Sequence, residues 1–357
     1  MTISHPHPKT IILTGGGTGG SVTPLLALVS DFQKDGYEVA WIGTHHGLER
    51  RMVEESHVSY FSVNSGKWRR YFSLQNIIDF FKILIGFFES LVIVNRLKPS
   101  LVMTAGGFVS VPVVWAAWIL GYRIIVHQQD IKPGLANKLM APFASRITVS
   151  FPKSIEDYGA KAVLTGNPVR REFREIQVAS GAAVGKEILV MGGGTGSEAI
   201  NILVKEKLRE LTDLAVVTHI TGENDKPDEK IVNSRYHVST FMTAAEIAQV
   251  MSRATVVVSR AGLGTLTELA YLGKASILIP MPYSHQEDNA RYTEEKKAAM
   301  VLHQDQSLSH KFVFEIQDLL ENNEKRISFE QTMSELMPRD ANEAVLRVAK
   351  EVIEQED

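Results

Sequence analysis

The 357-residue sequence contains no cysteine, which excludes disulfides, thiolate catalysis and zinc–thiolate sites. It also lacks a strong charge of either sign, because 38 Lys and Arg residues against 41 Asp and Glu residues give a net charge of −3. Nucleic-acid-binding domains are usually basic, so no nucleic-acid partner is expected. Long hydrophobic runs are missing too. The longest apolar stretch, residues 77–94, contains Asp79, Lys82 and Glu89, whereas a membrane span needs about 20 mostly apolar residues.

Two further signals are absent. The first residues, MTISHPHPKT, carry one lysine and have no apolar core of the kind found in secretory signals, so we expect cytoplasmic residence. No Gly-Lys pair is followed by Ser or Thr, which excludes a Walker A loop. No Asp-x-Asp occurs, so nothing supports a metal-clamped diphosphate.

What the sequence does contain is an alternation of strand-like and helix-like segments, typical of βαβ units and parallel sheets. The first series of segments covers 10–14, 23–35, 38–42, 47–55, 59–63, 74–97, 100–104, 110–120 and 123–127. A second series covers 187–191, 197–210, 214–220, 236–241, 244–252, 255–258, 264–272 and 275–279. We therefore predict an α/β protein with two Rossmann-like domains, residues 1–166 and 167–340. A C-terminal segment, 341–357, with a helix over 341–354, is expected to pack back on the first domain.

Each predicted domain begins with a strand, a glycine loop and a helix, in IILTGGGTGGSVTPLLALV (11–29) and ILVMGGGTGSEAINILV (188–204). Such a loop lets backbone amides approach a phosphate, or simply lets the helix pack closely on the strand. A dinucleotide site would also need an acid at the end of the second strand to hold the ribose. That strand ends in Gly43-Thr44, with Glu38 at its beginning, so NAD is disfavoured.

A third glycine segment, SRAGLGTLTE (259–268), opens a helix at Gly262 and Gly264. The free amides of that helix could accept a diphosphate without a metal. Glu268 then lies one turn into the helix, where a carboxylate could hold both ribose hydroxyls. It could equally stabilise the helix dipole, and the residues alone leave the two interpretations even.

An ordered series of blocks resembles the MurG family of peptidoglycan N-acetylglucosaminyltransferases. The blocks are TGGGTGGSVTPLLAL, TAGGFVSVPVVWAAWILG, HQQDIKPGLANKLMAPFA, LTGNPVRREF, VSRAGLGTLTELAYLGKASILIP and SHQEDNAR. The resemblance implies a GT-B fold, with two sheets facing across a cleft, and a peripheral enzyme at the cytoplasmic face of the inner membrane. It also implies an inverting, metal-independent and cofactor-free transfer of GlcNAc from UDP-GlcNAc to undecaprenyl-diphospho-muramoyl-pentapeptide.

The resemblance assigns donor-binding roles to particular residues. Glu268 would hold the ribose, Arg260 and the backbone at Phe241 and Met242 the uracil, and Gln286 and Asn289 the sugar hydroxyls. Without the resemblance, the two amides would be interpreted as polar residues of a surface loop. Arg170 would neutralise the leaving phosphate or simply face solvent. The remaining donor-binding candidates are Gly194, Thr195, Leu263, Gly264 and Thr265.

The sequence departs from the family at the residue expected to be the catalytic base. Ser21 stands where the family has histidine, and the family's H-E-Q-N block reads His127-Gln128-Gln129-Asp130. Our hypothesis is that Asp130 is the general base, while Ser21 positions acceptor or diphosphate. Asp130 could instead cap the turn before Pro133. His127 is the reserve base, although a histidine ending a buried strand is more often a core residue.

The acceptor is expected on the first domain. The amides of Thr18, Gly19 and Gly20 would meet its diphosphate, and the turn at Gly106 and Gly107 would support them. Membrane contact is predicted for a basic and aromatic segment with the residues Trp68, Arg69, Arg70 and Phe72. In the helix that follows, apolar residues 77, 80, 81, 84, 88 and 91 are interpreted mostly as core. Rival functions are a GT-B transferase with another lipid or glycan acceptor, and a silent UDP-sugar-binding protein.

Overall fold

The computed structural model describes residues 9–17, 19–66, 74–176, 185–194, 196–223 and 234–355. Unit 1 comprises Met1–Pro168 together with Asp340–Asp357, and unit 2 comprises Val169–Arg339. The boundary predicted after residue 166 falls close to this division.

Unit 1 is built on a seven-stranded parallel sheet. Its strands are β1 (Thr10–Thr14), β2 (Glu38–Gly43), β3 (Ser59–Ser62), β4 (Leu101–Thr104), β5 (Ile124–Gln128), β6 (Arg146–Val149) and β7 (Ala162–Leu164). Their order in the sheet is β3-β2-β1-β4-β5-β6-β7. The chain order reverses beside β1, and ligands of open α/β sheets bind at such a switch point, outside the carboxyl ends of the strands.

Helices cover both faces of this sheet. They are α1 (Thr23–Lys34), α2 (Leu48–Glu55), α3 (Leu74–Leu97), α4 (Ser110–Ile119), α5 (Leu135–Met140) and α6 (Ile155–Tyr158). Because successive side chains of a strand point to opposite faces, Ile11 packs in one core cluster with Leu25 of α1. Ile12 packs in another with Val113 of α4. The alternation predicted for 10–127 is therefore confirmed, and it places the turns after β1, β4 and β5 at one edge of the sheet.

Unit 2 repeats the design with a six-stranded parallel sheet in the order β10-β9-β8-β11-β12-β13. Its strands are β8 (Glu187–Met191), β9 (Val216–Ile220), β10 (Tyr236–Ser239), β11 (Val256–Ser259), β12 (Ser276–Leu278) and β13 (Met300–Val301). Its helices are α7 (Arg171–Glu175), α8 (Glu198–Leu214), α9 (Ala244–Arg253), α10 (Leu263–Leu272), α11 (Gln286–Glu295), α12 (Leu308–Glu321) and α13 (Asn323–Ser334). Two parallel-sheet domains of this kind are the GT-B architecture expected from the sequence.

The last helix, α14 (Ala341–Glu354), belongs to unit 1. Its apolar side packs on the sheet, where Val345 and Val348 join the cluster that contains Leu28. Asn342, which is 2% exposed, donates a hydrogen bond from Nδ2 to the carbonyl of Ala27 at 3.1 Å. Helix α14 is thus fixed on the sheet of unit 1.

Candidate functional site

In unit 1, the first glycine loop lies directly against the glycine turn that follows β4. Gly107 has a φ of +98°, and a Cβ atom added to it would lie 2.5 Å from the carbonyl oxygen of Gly16. Only glycine fits such a backbone approach. Ser21, in a short 3-10 turn at Gly19–Ser21, is 8% exposed and donates from Oγ to the carbonyl of Gly16 at 3.3 Å. One cluster of turns therefore contains five of the residues predicted for the acceptor side, Gly19, Gly20, Ser21, Gly106 and Gly107.

The block His127-Gln128-Gln129-Asp130, at the carboxyl end of β5, contacts the same cluster of turns. Gln129 donates from Nε2 to the carbonyl of Ala105 at 3.0 Å, next to the glycine turn. Gln128, where the family has a glutamate, accepts from Asn137 Nδ2 at 2.7 Å and from the Tyr158 hydroxyl at 2.9 Å. Its own amide donates to the backbone carbonyl of Asp130 at 2.6 Å. A glutamate at position 128 could not donate this hydrogen bond, because a carboxylate only accepts. Glutamine in its place therefore anchors the backbone carbonyl of Asp130.

His127 is a structural residue in this arrangement. Its side chain is fully buried, and its two ring nitrogens contact Thr148 Oγ1 and Asn167 Oδ1, both at 2.8 Å. Burial lowers its pKa to about 4, partly offset by the Asn167 bond. With both nitrogens engaged, this geometry opposes the reserve assignment of His127 as a base and matches the core histidine interpretation.

Asp130 and Ser21 remain the candidates for catalysis in unit 1. Asp130 follows β5 in a bend and is partly exposed. Thr18 and the membrane residues Trp68, Arg69, Arg70 and Phe72 lie outside the described residues.

In unit 2, the beginning of α10 has the properties of an anion site. The N-cap residue Gly262 supplies no side-chain cap, and the first bond within the helix runs from the Leu266 amide to the Gly262 carbonyl at 3.0 Å. The amides of Leu263, Gly264 and Thr265 thus have no acceptor within the helix and point along the positive end of its dipole. The space beside Gly264 is open, because an added Cβ there would meet nothing within 4 Å.

Glu268 lies further along α10 and is paired with Arg170. Nε and Nη2 of Arg170 donate to Glu268 Oε1 at 2.9 and 2.6 Å. Glu268 is 4% exposed; burial raises its pKa, while Arg170 lowers it. The Arg170 guanidinium also stacks 5.0 Å from the ring centre of Phe173. The solvent-facing interpretation of Arg170 is wrong, and its partner is the residue predicted to hold the ribose.

Arg260 is 8% exposed and is anchored to the segment that follows β12. Its Nη1 donates to the carbonyls of Ile279 and Pro280 at 3.0 and 3.1 Å and to Gln304 Oε1 at 2.7 Å. Its Nε is buried and has no hydrogen-bond partner within the part of the chain that the structure describes. Burial lowers the pKa of this guanidinium.

Gln286 and Asn289 begin helix α11, so interpreting them as surface-loop residues is wrong. Asn289 is 1% exposed and donates to the carbonyl of Ala261 at 3.3 Å. Gln286 Oε1 accepts from the Met281 amide at 3.1 Å, and its Nε2 lies 3.9 Å from where a Cβ of Gly262 would be. Both amides therefore lie beside the N-terminus of α10, together with Arg260.

The other donor candidates follow β8 and β10, two strands that β9 separates in the sheet of unit 2. Gly194 is exposed in the second glycine loop, which ends at Ser197, the residue that caps α8. Thr195 lies outside the described residues. The Phe241 side chain is 61% exposed, and its backbone is held by Ser239 Oγ, which bonds both the Phe241 carbonyl and amide. Met242 follows, partly exposed, before α9.

Helix α3 carries an exposed apolar surface, which corrects the expectation that its stripe is mostly core. Phe81 and Phe88 are 59% and 63% exposed, and Leu84 is 40% exposed. We call the exposed row Phe81, Ile85, Phe88 and Val92 the α3 apolar face. Helix α4 packs beside α3 and ends in the exposed residues Trp118 and Ile119. Among the described helices, none is long and apolar enough to cross a membrane.

Sequence reasoning missed one buried acid, Glu49, at the beginning of α2. Its side chain is fully buried and contacts the first glycine loop, because Oε2 accepts from the Gly17 amide at 3.2 Å. The expectation of an acid concerns the end of β2 alone, whereas Glu49 lies in the first turn of the helix that follows.

Comparison with known proteins identifies the family of the chain. Residues 11–149 match the glycosyltransferase family 28 N-terminal domain, and residues 187–352 match the family 28 C-terminal domain. The chain therefore belongs to glycosyltransferase family 28.

Particular relatives share the name "UDP-N-acetylglucosamine--N-acetylmuramyl-(pentapeptide) pyrophosphoryl-undecaprenol N-acetylglucosamine transferase". The protein of that name from Clostridium botulinum (strain Loch Maree / Type A3) is 43% identical over 280 residues, covering 76% of this chain and 79% of the relative. The one from Clostridium novyi (strain NT) is 36% identical over 329 residues, covering 89% and 92%.

Solved structures share the fold. The crystal structure of Acinetobacter baumannii MurG superposes with a TM-score of 0.75 at 22% identity, covering 96% of this chain and 100% of that one. The calicheamicin glycosyltransferase reaches 0.73 at 14% identity, covering 97% and 98%.

Proposed function

We propose that this chain transfers GlcNAc from UDP-GlcNAc to undecaprenyl-diphospho-muramoyl-pentapeptide, the lipid-linked precursor of peptidoglycan. The observation that carries the proposal is the group of residues around α10 in unit 2. An uncapped helix N-terminus, a buried carboxylate and two amides lie together there, and they match the diphosphate, the ribose and the sugar of the donor. The acceptor is inferred from the name that the relatives share.

The donor would be held without a metal. The first-turn amides of α10 would accept the diphosphate, supported by the helix dipole. Glu268 would accept hydrogen bonds from the ribose hydroxyls, and Gln286 and Asn289 would bind the sugar hydroxyls. Buried amides discriminate well between sugars, because a sugar that lacks the hydroxyl leaves them unpaired. Within the described residues, no group of three or more His, Asp or Glu side chains is arranged to hold a metal ion.

The acceptor would bind unit 1 at the cluster of turns formed by Ser21, Gly106 and Gly107. Asp130 would act as the general base. Its carboxylate would take the proton of the acceptor hydroxyl while that oxygen forms the bond to C1 of GlcNAc. The bond from C1 to the phosphate oxygen breaks at the same time, UDP leaves, and the configuration at C1 is inverted. Arg170, which is bonded to Glu268, would lie beside the donor and help to neutralise the charge of the leaving phosphate.

Access to a lipid-linked acceptor requires a membrane surface. We propose that the α3 apolar face, with the predicted basic and aromatic segment before it, binds an anionic bilayer peripherally at the cytoplasmic side. Exposed aromatic and aliphatic side chains in one row of a helix are otherwise rare on a soluble surface.

The reaction is tested with purified protein, UDP-GlcNAc carrying a labelled sugar, and the lipid-linked muramoyl-pentapeptide in anionic vesicles, with and without EDTA. We expect label in the lipid fraction at equal rates in both samples. Loss of transfer in EDTA would overturn metal independence. Label released only as free GlcNAc would point to another acceptor, and no turnover to a silent binding protein.

A further inference from the structure

Glu49 is an unusual residue for the position it occupies. It is 0% exposed, and burial of a carboxylate is costly unless the charge is paired or well hydrogen-bonded. Within the described residues it forms no ion pair. Its partners are neutral donors: Oε1 accepts from the Thr44 amide at 3.0 Å and from the Thr44 hydroxyl, and Oε2 accepts from the Gly17 amide at 3.2 Å.

The carboxylate fills the space beneath the first glycine loop. A Cβ atom on Gly16 would lie 2.5 Å from Glu49 Oε1, and one on Gly47 would overlap the same carboxylate. On another side, Gly107 lies against the Gly16 backbone. Gly16 is thus fixed between Glu49 and Gly107, and the Ser21 hydroxyl bonds its carbonyl.

Glu49 also determines which amides of this loop are available. It lies beside the carboxyl end of β2, the region from which a dinucleotide-binding protein directs an acid toward the ribose. Here both carboxylate oxygens are already occupied by Thr44 and Gly17. The Gly17 amide is therefore already bonded to Glu49 and is unavailable to a phosphate.

We propose that Glu49 is a positioning residue for the acceptor. It fixes the loop from Gly15 to Gly17 so that the 3-10 turn at Gly19–Ser21 presents its amides and the Ser21 hydroxyl in one orientation. The inference rests on the proposed function, in which this turn meets the acceptor. Donor binding belongs to unit 2 and does not depend on Glu49.

Glu49→Gln is the sharpest test, because it preserves volume and removes one acceptor oxygen. Both carboxylate oxygens of Glu49 accept hydrogen bonds. The glutamine amide, in either orientation, therefore places its NH2 group against the N–H donor of Gly17 or Thr44, and that hydrogen bond is lost. Glu55→Gln, an exposed substitution in the same helix, is the matched control. We expect Glu49→Gln to raise the acceptor KM or lower kcat at least tenfold, with the donor KM and the UDP Kd within twofold of wild type. Glu49→Ala should be worse than Glu49→Gln, and Glu55→Gln should equal wild type.

Hydrogen exchange separates this inference from the reaction itself. We expect faster amide exchange in a peptide spanning 13–25 of Glu49→Gln, with no change in one spanning 188–204. If the acceptor parameters stay at wild-type values, if donor and acceptor parameters change by the same factor, or if exchange in 13–25 is unaltered, the inference is wrong. A wild-type protein that transfers no GlcNAc would overturn the proposed function, whereas the exchange result would still decide whether Glu49 fixes the loop.

Discussion

Arg170 directs two hydrogen bonds, from Nε and Nη2, to a single oxygen of Glu268, at 2.9 and 2.6 Å. The two residues are 98 positions apart in the chain. Burial raises the pKa of Glu268, and Arg170 acts in the opposite direction by lowering it, so the ion pair favours the ionised carboxylate in a site from which solvent is largely excluded. An ionised carboxylate is the form that could accept hydrogen bonds from both ribose hydroxyls in the proposed donor site, so we expect Arg170 to support donor binding through Glu268.

Replacement of Arg170 by methionine is expected to weaken UDP binding at pH 7.5 by about tenfold or more, the scale of a lost charge-assisted hydrogen bond. Without Arg170 the pKa of Glu268 rises further, so a larger fraction of the carboxyl is protonated at any given pH. The UDP Kd of the variant should therefore fall as pH rises from 6.5 to 8.5, by a larger factor than for wild type.

The control for this titration is Arg171→Met. Arg171 is the next residue, but it pairs with Glu175 on the surface, where both side chains are 60% exposed. The Arg171→Met substitution should leave the UDP Kd at the wild-type value at every pH. Calorimetric profiles of identical shape for wild type and Arg170→Met would contradict the role of Arg170.

Asp130→Asn tests the base assignment. The amide keeps the size of the side chain but cannot take a proton, and general base catalysis contributes about 10²–10⁴-fold to a rate. We expect kcat for transfer to fall within that range, while UDP affinity measured by calorimetry stays constant. Wild-type turnover in Asp130→Asn would show that Asp130 serves only the turn before Pro133.

His127 is expected to make folding stability depend on pH. Its pKa of about 4 in the folded protein lies below the usual value near 6.5 in unfolded chains. The contribution is therefore fully present above pH 6.5 and is lost as pH falls toward 4. Between pH 7 and pH 5 it corresponds to about 2 kcal/mol of unfolding free energy.

Urea unfolding at the two pH values, for wild type and His127→Gln, measures this contribution. The variant carries no ionisable group at position 127, so its loss of stability between pH 7 and pH 5 should be smaller by about 2 kcal/mol. Equal losses in both proteins would mean that His127 is not held neutral by its surroundings.

The α3 apolar face is expected to bind anionic vesicles. Phe81→Ser combined with Phe88→Ser should reduce sedimentation with vesicles that contain phosphatidylglycerol, because the pair removes two exposed aromatic side chains from one row. UDP binding should be unaffected. Phe314→Ser is the matched control, since Phe314 is 65% exposed on unit 2. Vesicle binding that survives the double substitution would exclude this surface as the membrane contact.

The sequence predicted the fold well because apolar periodicity reports directly on strands and helices. The helix predicted over 74–97 matches α3 at both ends, and the strand predicted over 187–191 matches β8. Periodicity marks an apolar row but does not say what covers it, which is why the sequence pattern predicts a row that is mostly core although Phe81 and Phe88 are exposed. Short elements such as β13 (Met300–Val301) carry too few residues to show a period.

The sequence identified individual residues of the candidate site but not the contacts between them. Motif resemblance selected Glu268 and Asn289, whose local context is a helix start. It could not show that Arg170 would meet Glu268, because that contact depends on how α7 and α10 pack. It also missed Glu49, since an acid in the first turn of a helix resembles a dipole-stabilising residue until its burial is known.

The most direct test of the proposed transfer is the mass and anomeric configuration of the lipid product. Wild-type protein, UDP-GlcNAc and the lipid-linked muramoyl-pentapeptide should give a product heavier by one N-acetylhexosamine, with the new sugar in β-linkage. An acceptor of unchanged mass under conditions in which the protein binds UDP, or a sugar attached in α-linkage, would contradict it.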